Sequence, residues 1–392
     1  MTSSEKQAWC PFAAEMNLDQ RASYDKLRDK QPFAKAENFG WTALRYQDVF
    51  DIMKNPDEFS NATAWAAIDP NLTPDQRAIP LALDPPEHTE YRKLLRELFL
   101  PKRVNLYEGQ ARDKAGAMIQ AMVDAGKADA VAHFTDPYPV RSLCAFLGWD
   151  DDNWQNIKRW SRELTSARAA GRQEEADALF TMWRGYIDKV LQQRKTAPKE
   201  DVTSWLIELG QDGEVLNDEQ IISILRLLLV AGHGTTTSAL GNMIEYLALH
   251  PEKQQQLRDN PKILPSAIEE MLRYDSPQMV MPRRTTCPVD VNGQHFEANE
   301  SIWLNFLAAN RDPEKFPNPD ECNFERRPNQ HMAFGAGIHT CLGAIFGRME
   351  VRVGLEELFA KTSWFEMAPD GEHERSNFPH NHPTKMDIIF RS

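Results

Sequence analysis

Phe334-Gly335-Ala336-Gly337-Ile338-His339-Thr340-Cys341-Leu342-Gly343 is the stretch on which the reading of this 392-residue chain turns. Its first two glycines allow a tight turn and a close approach of backbone to a flat ligand. The cysteine follows that turn and is expected to open an apolar helix, Cys341 to Lys361, whose terminal N–H groups can stabilise a thiolate. Phe334 would shield the sulfur from water. A lone cysteine after a glycine loop is more often an inert core residue. Here the complete F-x-x-G-x-x-x-C-x-G spacing argues otherwise. The other cysteines, Cys10, Cys144, Cys287 and Cys322, are widely spaced with no C-x-x-C pair. Such a set reads neither as a disulfide framework nor as a zinc site, and fits a reducing compartment.

Around that stretch the chain reads mostly as helix, at Tyr91 to Leu98, Asn105 to Ala125, Gln173 to Arg194, Asp218 to His250 and Leu264 to Tyr274. In the Asp218 segment apolar residues cover nearly the whole circumference, as in a helix crossing a protein's interior. Asn217 is its expected N-cap and Pro251 follows its end. Strand signals are short: Thr42 to Arg45, Val289 to Phe296 with an Asn292-Gly293 turn, Ser301 to Asn305, and Lys385 to Phe390. The expected class is mainly α with a small β region. No repeat or low-complexity linker divides the chain, and the Pro-rich stretches Pro80 to Pro86 and Pro313 to Pro328 read as loops. A single domain over residues 1–392 is therefore expected.

The formal net charge of −13 argues against a nucleic-acid partner. Met1 to Asn17 is polar and lacks the apolar core of a signal peptide or anchor. The most apolar stretch, Ile221 to Gly232, is interrupted by Arg226 and is too short to span a bilayer. A cytoplasmic protein without a membrane partner is the expectation.

Further segments stand in a definite order. Asp84 to Arg92 places His88 and Arg92 one helical turn apart. Ala231-Gly232-His233-Gly234-Thr235-Thr236 lies midway along the interior helix, where its two glycines weaken the helix by roughly 1 kcal/mol each relative to alanine. That suggests a local opening of the ladder, with carbonyls turned to water or dioxygen. Glu270-Met271-Leu272-Arg273 sets an acid and a base three apart on one helix face. With the cysteine segment, these resemble the cytochrome P-450 family, of the soluble bacterial type, over nearly the whole chain.

The resemblance implies heme b (iron protoporphyrin IX) between the interior helix and the cysteine-loop helix, with Cys341 as the axial thiolate. Phe334, Gly335, Gly337, Gly343, Ala231 and Gly232 would then border the cofactor. His88, Arg92, Arg283 and His331 match the family's propionate-binding positions, and His339 within the loop joins them. Glu270 and Arg273 would be buried and would hold the cysteine loop, together with Arg326 or Arg327. On the oxygen side the family pattern is met at Ala231, Gly232, Thr235 and Thr236. It fails at Gly234, where an acid is usual. Thr235 would help deliver a proton there, through water held near Gly234 and with His233 or a substrate group assisting; alternatively the enzyme couples poorly with dioxygen and works better with peroxide.

By the same resemblance, substrate contacts fall on the loop from Asn61 to Leu83, on Trp160 to Leu179, and at Trp65, Leu228, Val280, Met281 and Phe378. These side chains suggest a small apolar or aromatic substrate, hydroxylated or O-dealkylated by a monooxygenase of the EC 1.14 type. No dinucleotide fingerprint or ferredoxin-like cysteine cluster is present, and no fused reductase domain is expected. Electrons would come from a ferredoxin or flavodoxin and its reductase, so NAD(P)H acts only indirectly. Arg92, Lys93, Arg96, Lys102 and Arg103 form a basic cluster on which an acidic partner could dock. The rivals are a peroxide-driven oxygenase of the same fold and a haem-binding sensor or carrier without turnover.

Overall fold

Two residues exchange hydrogen bonds at the start of the 32-residue helix Asp218–Leu249. Asn217 Oδ1 accepts from the Gln220 N–H at 2.9 Å, and Gln220 Oε1 accepts from the Asn217 N–H at 2.8 Å. This reciprocal cap satisfies two donors that a helix start otherwise leaves open. From there the helix runs unbroken to Leu249, and the next helix starts at Pro251. Its all-round apolar sequence matches its burial, with Ile224, Leu225, Leu229, Leu240 and Leu247 inaccessible. Among the described residues it alone is long and apolar enough to cross a membrane, yet 61% of its most apolar window is buried within the protein.

The structure, a computed structural model, describes residues 9–37, 39–68, 77–211 and 216–391. Part of the expected substrate loop, at 69–76, and part of the polar start, at 1–8, lie outside the described residues. The chain is mainly helical with small sheets, as expected. It falls into two compact units.

One unit comprises Met1–Pro70, Asn242–Cys341 and His373–Thr384. It holds a five-stranded sheet in the order Phe33–Ala36, Gly40–Ala43, Ser301–Asn305, Val280–Thr285, Phe59–Ser60. Trp41 lies opposite Ile302 in the one parallel pair, and Val280 opposite Asn305 in the antiparallel pair beside it. Phe33, Val49, Ile302, Leu304 and Phe316 pack the core of this unit. In the hairpin Val289–Val291/Gln294–Phe296, Asn292 and Gly293 both take positive φ (48° and 75°), the pairing a two-residue turn needs.

The other unit comprises Asn71–Gly241, Leu342–Glu372 and Lys385–Ser392. Its helices include Glu87–Arg96, Glu108–Ala125, Pro137–Leu147, Trp154–Ala169, Gln173–Thr196 and Ala344–Lys361. Gly354 lets the last of these lie close to the interior helix and to Pro137–Leu147. A methyl there would come within 3.1 Å of Leu240 and 3.6 Å of Tyr138. The strand Pro383–Arg391 pairs antiparallel with Lys127–Asp129 and with Trp364–Met367.

Candidate functional site

Glu270 and Arg273, three residues apart on the helix Leu264–Tyr274, are both fully buried. Arg273 holds Glu270 with two parallel bonds, Nε to Oε2 at 2.8 Å and Nη2 to Oε1 at 2.9 Å. The third member is Arg326, whose Nε lies 2.9 and 3.1 Å from the two carboxylate oxygens. Arg327 is exposed. The Asn323 N–H and Asn329 Nδ2 complete the carboxylate's donors at 2.9 and 3.1 Å. Arg273 also donates to the carbonyls of Asn310, Pro319 and Glu321. One buried ion cluster thus fixes the chain between residues 310 and 329, just ahead of the cysteine loop.

In that loop the Cys341 N–H donates to Phe334 O at 2.7 Å. Gly335 and Gly337 take φ of 70° and 68°, which favours glycine. A Cβ at Gly337 would run into Met53 O. The helix does not open at Cys341 as expected: Gly337–His339 forms a 3-10 turn, and the α-helix starts at Ala344. The intervening residues are used to swing the chain out of the glycine turn. Cys341 is accessible, whereas burial pushes the Cys144 and Cys322 thiols up to about 12. Those two cannot readily become thiolates.

The segment Ala231–Thr236 stays helical throughout, so the expected opening of the ladder is absent. Side chains instead cap the carbonyls that were expected to open. Thr235 Oγ1 donates to Ala231 O at 2.8 Å, Thr236 Oγ1 to Gly232 O at 3.1 Å, and Ser238 Oγ to Gly234 O at 3.0 Å. The two glycines differ. A methyl at Gly232 would meet Leu143 at 3.0 Å, but one at Gly234 would meet nothing within 4 Å. Close packing explains the first glycine and not the second. His233 is buried, with Nδ1 2.6 Å from Leu229 O; burial lowers its pKa, so the ring is neutral with its proton on Nδ1.

A sequence profile described as Cytochrome P450 matches residues 94–385. The chain belongs to the cytochrome P450 family. It is 30% identical over 369 residues to a mycinamicin IV hydroxylase/epoxidase from Micromonospora griseorubida, covering 92% of both chains. It is 31% identical to a vitamin D(3) 25-hydroxylase from Pseudonocardia autotrophica, covering 86% of this chain and 85% of that one. The structure of CYP109E1 from Bacillus megaterium in complex with testosterone superimposes with a TM-score of 0.89 at 27% identity, covering 96% and 99% of the two chains. This P450 is accordingly a monooxygenase of the EC 1.14 type.

Membership in the family implies a haem, and the donor set fits one. Cys341, one of three exposed cysteines with Cys10 and Cys287, follows a turn too tight at Gly337 for any side chain. In the same unit a guanidinium and an imidazole are joined through one amide. Arg283 Nη1 donates to Asn61 Oδ1 at 2.8 Å, and Asn61 Nδ2 lies 3.4 Å from His339 Nδ1. Asn61 is a residue the sequence reading placed only at a loop boundary. The other expected propionate residues are placed as follows. His88 is buried on the helix Glu87–Arg96, with Arg92 half-buried one turn on. His331 accepts from the Ala333 N–H through Nδ1 at 3.2 Å, and its Nε2 lies 3.1 Å from Glu269 Oε2, so this imidazole already has a carboxylate partner.

Of the expected substrate residues, Trp65 and Leu228 are half-buried. Val280 and Phe378 lie in an apolar cluster with Tyr24 and Leu307, and Met281 packs against the sheet core. Phe378 stacks edge-on against Phe12 and Phe39, with centroids 5.2 Å apart in each pair. Lys93, Arg96 and Lys102 of the basic cluster are exposed, while Arg103 covers the Trp205 ring at 5.3 Å. Sequence reasoning passed over Glu350, a fully buried acid on Ala344–Lys361. The signal was available: Phe346, Val353 and Gly354 mark the buried face, and Glu350 falls on it.

Proposed function

We propose that this P450 inserts one oxygen atom into a C–H bond of a small apolar or aromatic substrate, by hydroxylation or by O-dealkylation. Its electrons come from a separate ferredoxin or flavodoxin and its reductase. The observation that carries the reading is the accessible Cys341 thiol on its glycine turn, backed by the buried Glu270–Arg273–Arg326 cluster. Bound haem supplies oxygen activation, which a thiolate ligand favours by donating electron density. The chain's own residues do the rest. Cys341 ligates, Arg283, His88, Arg92, His331 and His339 meet the propionates, and Thr235 handles protons beside Gly234. The exposed Lys93, Arg96 and Lys102 suit an acidic redox partner, steered by charge.

The test is direct. A carbon monoxide difference spectrum should show a thiolate-ligated haem in the wild type and lose that signature in Cys341→Ser. Spin-state titration with aryl ethers and alkyl arenes should give saturable shifts, and high salt should slow reduction by ferredoxin. A relative's structure holds testosterone, so that steroid belongs in the panel. If it alone shifted the spectrum, the small-substrate reading would be wrong. The peroxide-driven reading is favoured by one observation, the absent acid at Gly234. It predicts more product with peroxide than with reduced ferredoxin.

A further inference from the structure

One buried amide touches two of the side chains assigned to the haem propionates. We propose that Asn61 is a positioning residue for the haem: it fixes the Arg283 guanidinium and holds the His339 ring with its proton on Nε2, so that both present donors to the propionates. The inference rests on the haem-enzyme reading above and deepens it.

Local structure brings Asn61 to this place. The strand Phe59–Ser60 runs antiparallel to Val280–Thr285, with Ser60 opposite Arg284. The residue after Ser60 therefore comes alongside Arg283. Directly beyond it the helix Ala62–Ile68 begins. An asparagine just ahead of a helix ordinarily turns its side chain to the open N–H groups of the first turn. Here Ser60 takes that task, its Oγ accepting from the Thr63 N–H at 3.0 Å. The Asn61 side chain can thus face the other way, although the residue is only 1% exposed. A polar group buried so deeply is costly unless its hydrogen bonds are made.

The two contacts of the amide fix each other. Arg283 Nη1 donates to Asn61 Oδ1 at 2.8 Å, and Asn61 Nδ2 lies 3.4 Å from His339 Nδ1. A guanidinium has only donors, so the amide must turn its oxygen to Arg283. Its N–H group then faces the imidazole, and can bond there only to a nitrogen that carries a lone pair. Nδ1 is that acceptor, which places the ring proton on Nε2. Arg283 Nη1 also donates to Pro282 O at 2.7 Å, so both of its hydrogens are committed and the guanidinium is held against rotation. His339 ends the turn Gly337–His339, which the Thr340 hydroxyl ties by donating to Gly337 O at 2.8 Å. Donors ordered before a carboxylate arrives lose less freedom on binding it. Aspartate at 61 would serve Arg283 equally but set a second acceptor against His339. Leucine would fill the same space and serve neither.

Two readouts test this on the holoenzyme. In the ferrous carbon monoxide complex, nitrogen NMR of histidine-labelled protein should show His339 with its proton on Nε2. Its signals are identified by their absence in His339→Gln. In Asn61→Asp the Nδ1 nitrogen should carry a proton instead. Haem release from the ferric protein to apomyoglobin should be about tenfold faster in Asn61→Leu, the size expected when a hydrogen bond to a charged group is lost. On an Arg283→Gln/His339→Gln background the same leucine should change release by less than about twofold, because Asn61 acts through those two side chains. A mere packing defect would keep its full effect there. A wild-type His339 with its proton on Nδ1 would overturn the proposal, as would unchanged release in Asn61→Leu or a full effect on the double background. If the leucine variant does not accumulate, the wild-type and Asn61→Asp spectra decide. A wild type without the thiolate-haem carbon monoxide signature would instead sink the haem-enzyme reading, a failure visible before any Asn61 variant is made.

Discussion

Glu270 and Glu350 are the same residue at the same burial, each wholly shielded from solvent, yet their surroundings are opposite. Glu270 receives two guanidinium groups, a backbone N–H and an amide. Glu350 receives hydroxyls and no cation. The first is therefore an anion locked into the scaffold, and the second an acid that keeps its proton. Burial alone does not decide what a carboxyl group does. The charge of its neighbours decides it.

The contrast breaks most visibly at Glu270. In Glu270→Gln, Arg273 and Arg326 keep their charges inside the protein with nothing to balance them. Loss of one partner from a buried pair costs about 3–5 kcal/mol. Urea unfolding of the haem-bound protein should show that drop, or the variant should fail to accumulate as a haem protein. A drop under 1 kcal/mol would mean that the cluster does not hold the fold.

Next in size is the choice between neighbouring arginines. Arg326 reaches both oxygens of Glu270 and the carbonyls of Pro317, Asn318 and Glu321. Arg327 is exposed. Arg326→Ala should lose about 2 kcal/mol or more, and Arg327→Ala should stay within about 0.5 kcal/mol of wild type. Equal effects in the two variants would contradict the ion cluster described above.

At Glu350 the effect appears as a slope with pH. Its folded-state pKa lies well above the ordinary 4.5. As the pH rises past that value the unfolded chain releases the proton and the folded chain keeps it. Wild-type stability should therefore fall by about 1.4 kcal/mol per pH unit from this group, starting above its ordinary pKa. Glu350→Gln has no such proton, so its stability relative to wild type should climb as pH rises from weakly acid toward neutral. A difference that is flat across this window would show that Glu350 ionises like an exposed acid.

Features set by local spacing were legible in the sequence. The Leu264–Tyr274 helix, the Asn217 cap, the Asn292-Gly293 turn and the glycine turn before Cys341 all depend on residues a few positions apart. What escaped depends on contacts far along the chain. Arg326 and Arg327 are identical in type and adjacent. Only the turn from Asn323, whose own N–H also reaches Glu270, selects between them. The helix Pro137–Leu147 hides behind two prolines that its first turn tolerates. The strand Phe33–Ala36 is too short to announce itself without its partner Gly40–Ala43. The helical periodicity of Ala344–Lys361 could have exposed Glu350, but its hydroxyl partners come from two other helices. The unbroken ladder at Ala231–Thr236 corrects an inference from glycine propensity alone, because threonine hydroxyls cap the carbonyls there.

The smallest effect separates the two glycines of that segment. Glycine in a helix interior is worse than alanine by up to about 1 kcal/mol, so each substitution starts with the same intrinsic gain. At Gly234 the new methyl meets nothing within 4 Å. The family usually places a larger acid at this position, so room for a methyl does not depend on what else is bound. Gly234→Ala should raise stability by most of that amount. At Gly232 the methyl would lie 3.0 and 3.3 Å from the two ends of Leu143, a side chain held against the interior helix. Leu143 must shift by a few tenths of an ångström within a close-packed interior, which offsets the gain. Gly232→Ala should therefore be neutral or destabilising, and the two variants should differ by roughly 1 kcal/mol in urea unfolding with haem bound. If they matched, Leu143 would not be what requires glycine at 232, and the reason for two glycines around His233 would have to lie in the oxygen-side chemistry rather than in packing.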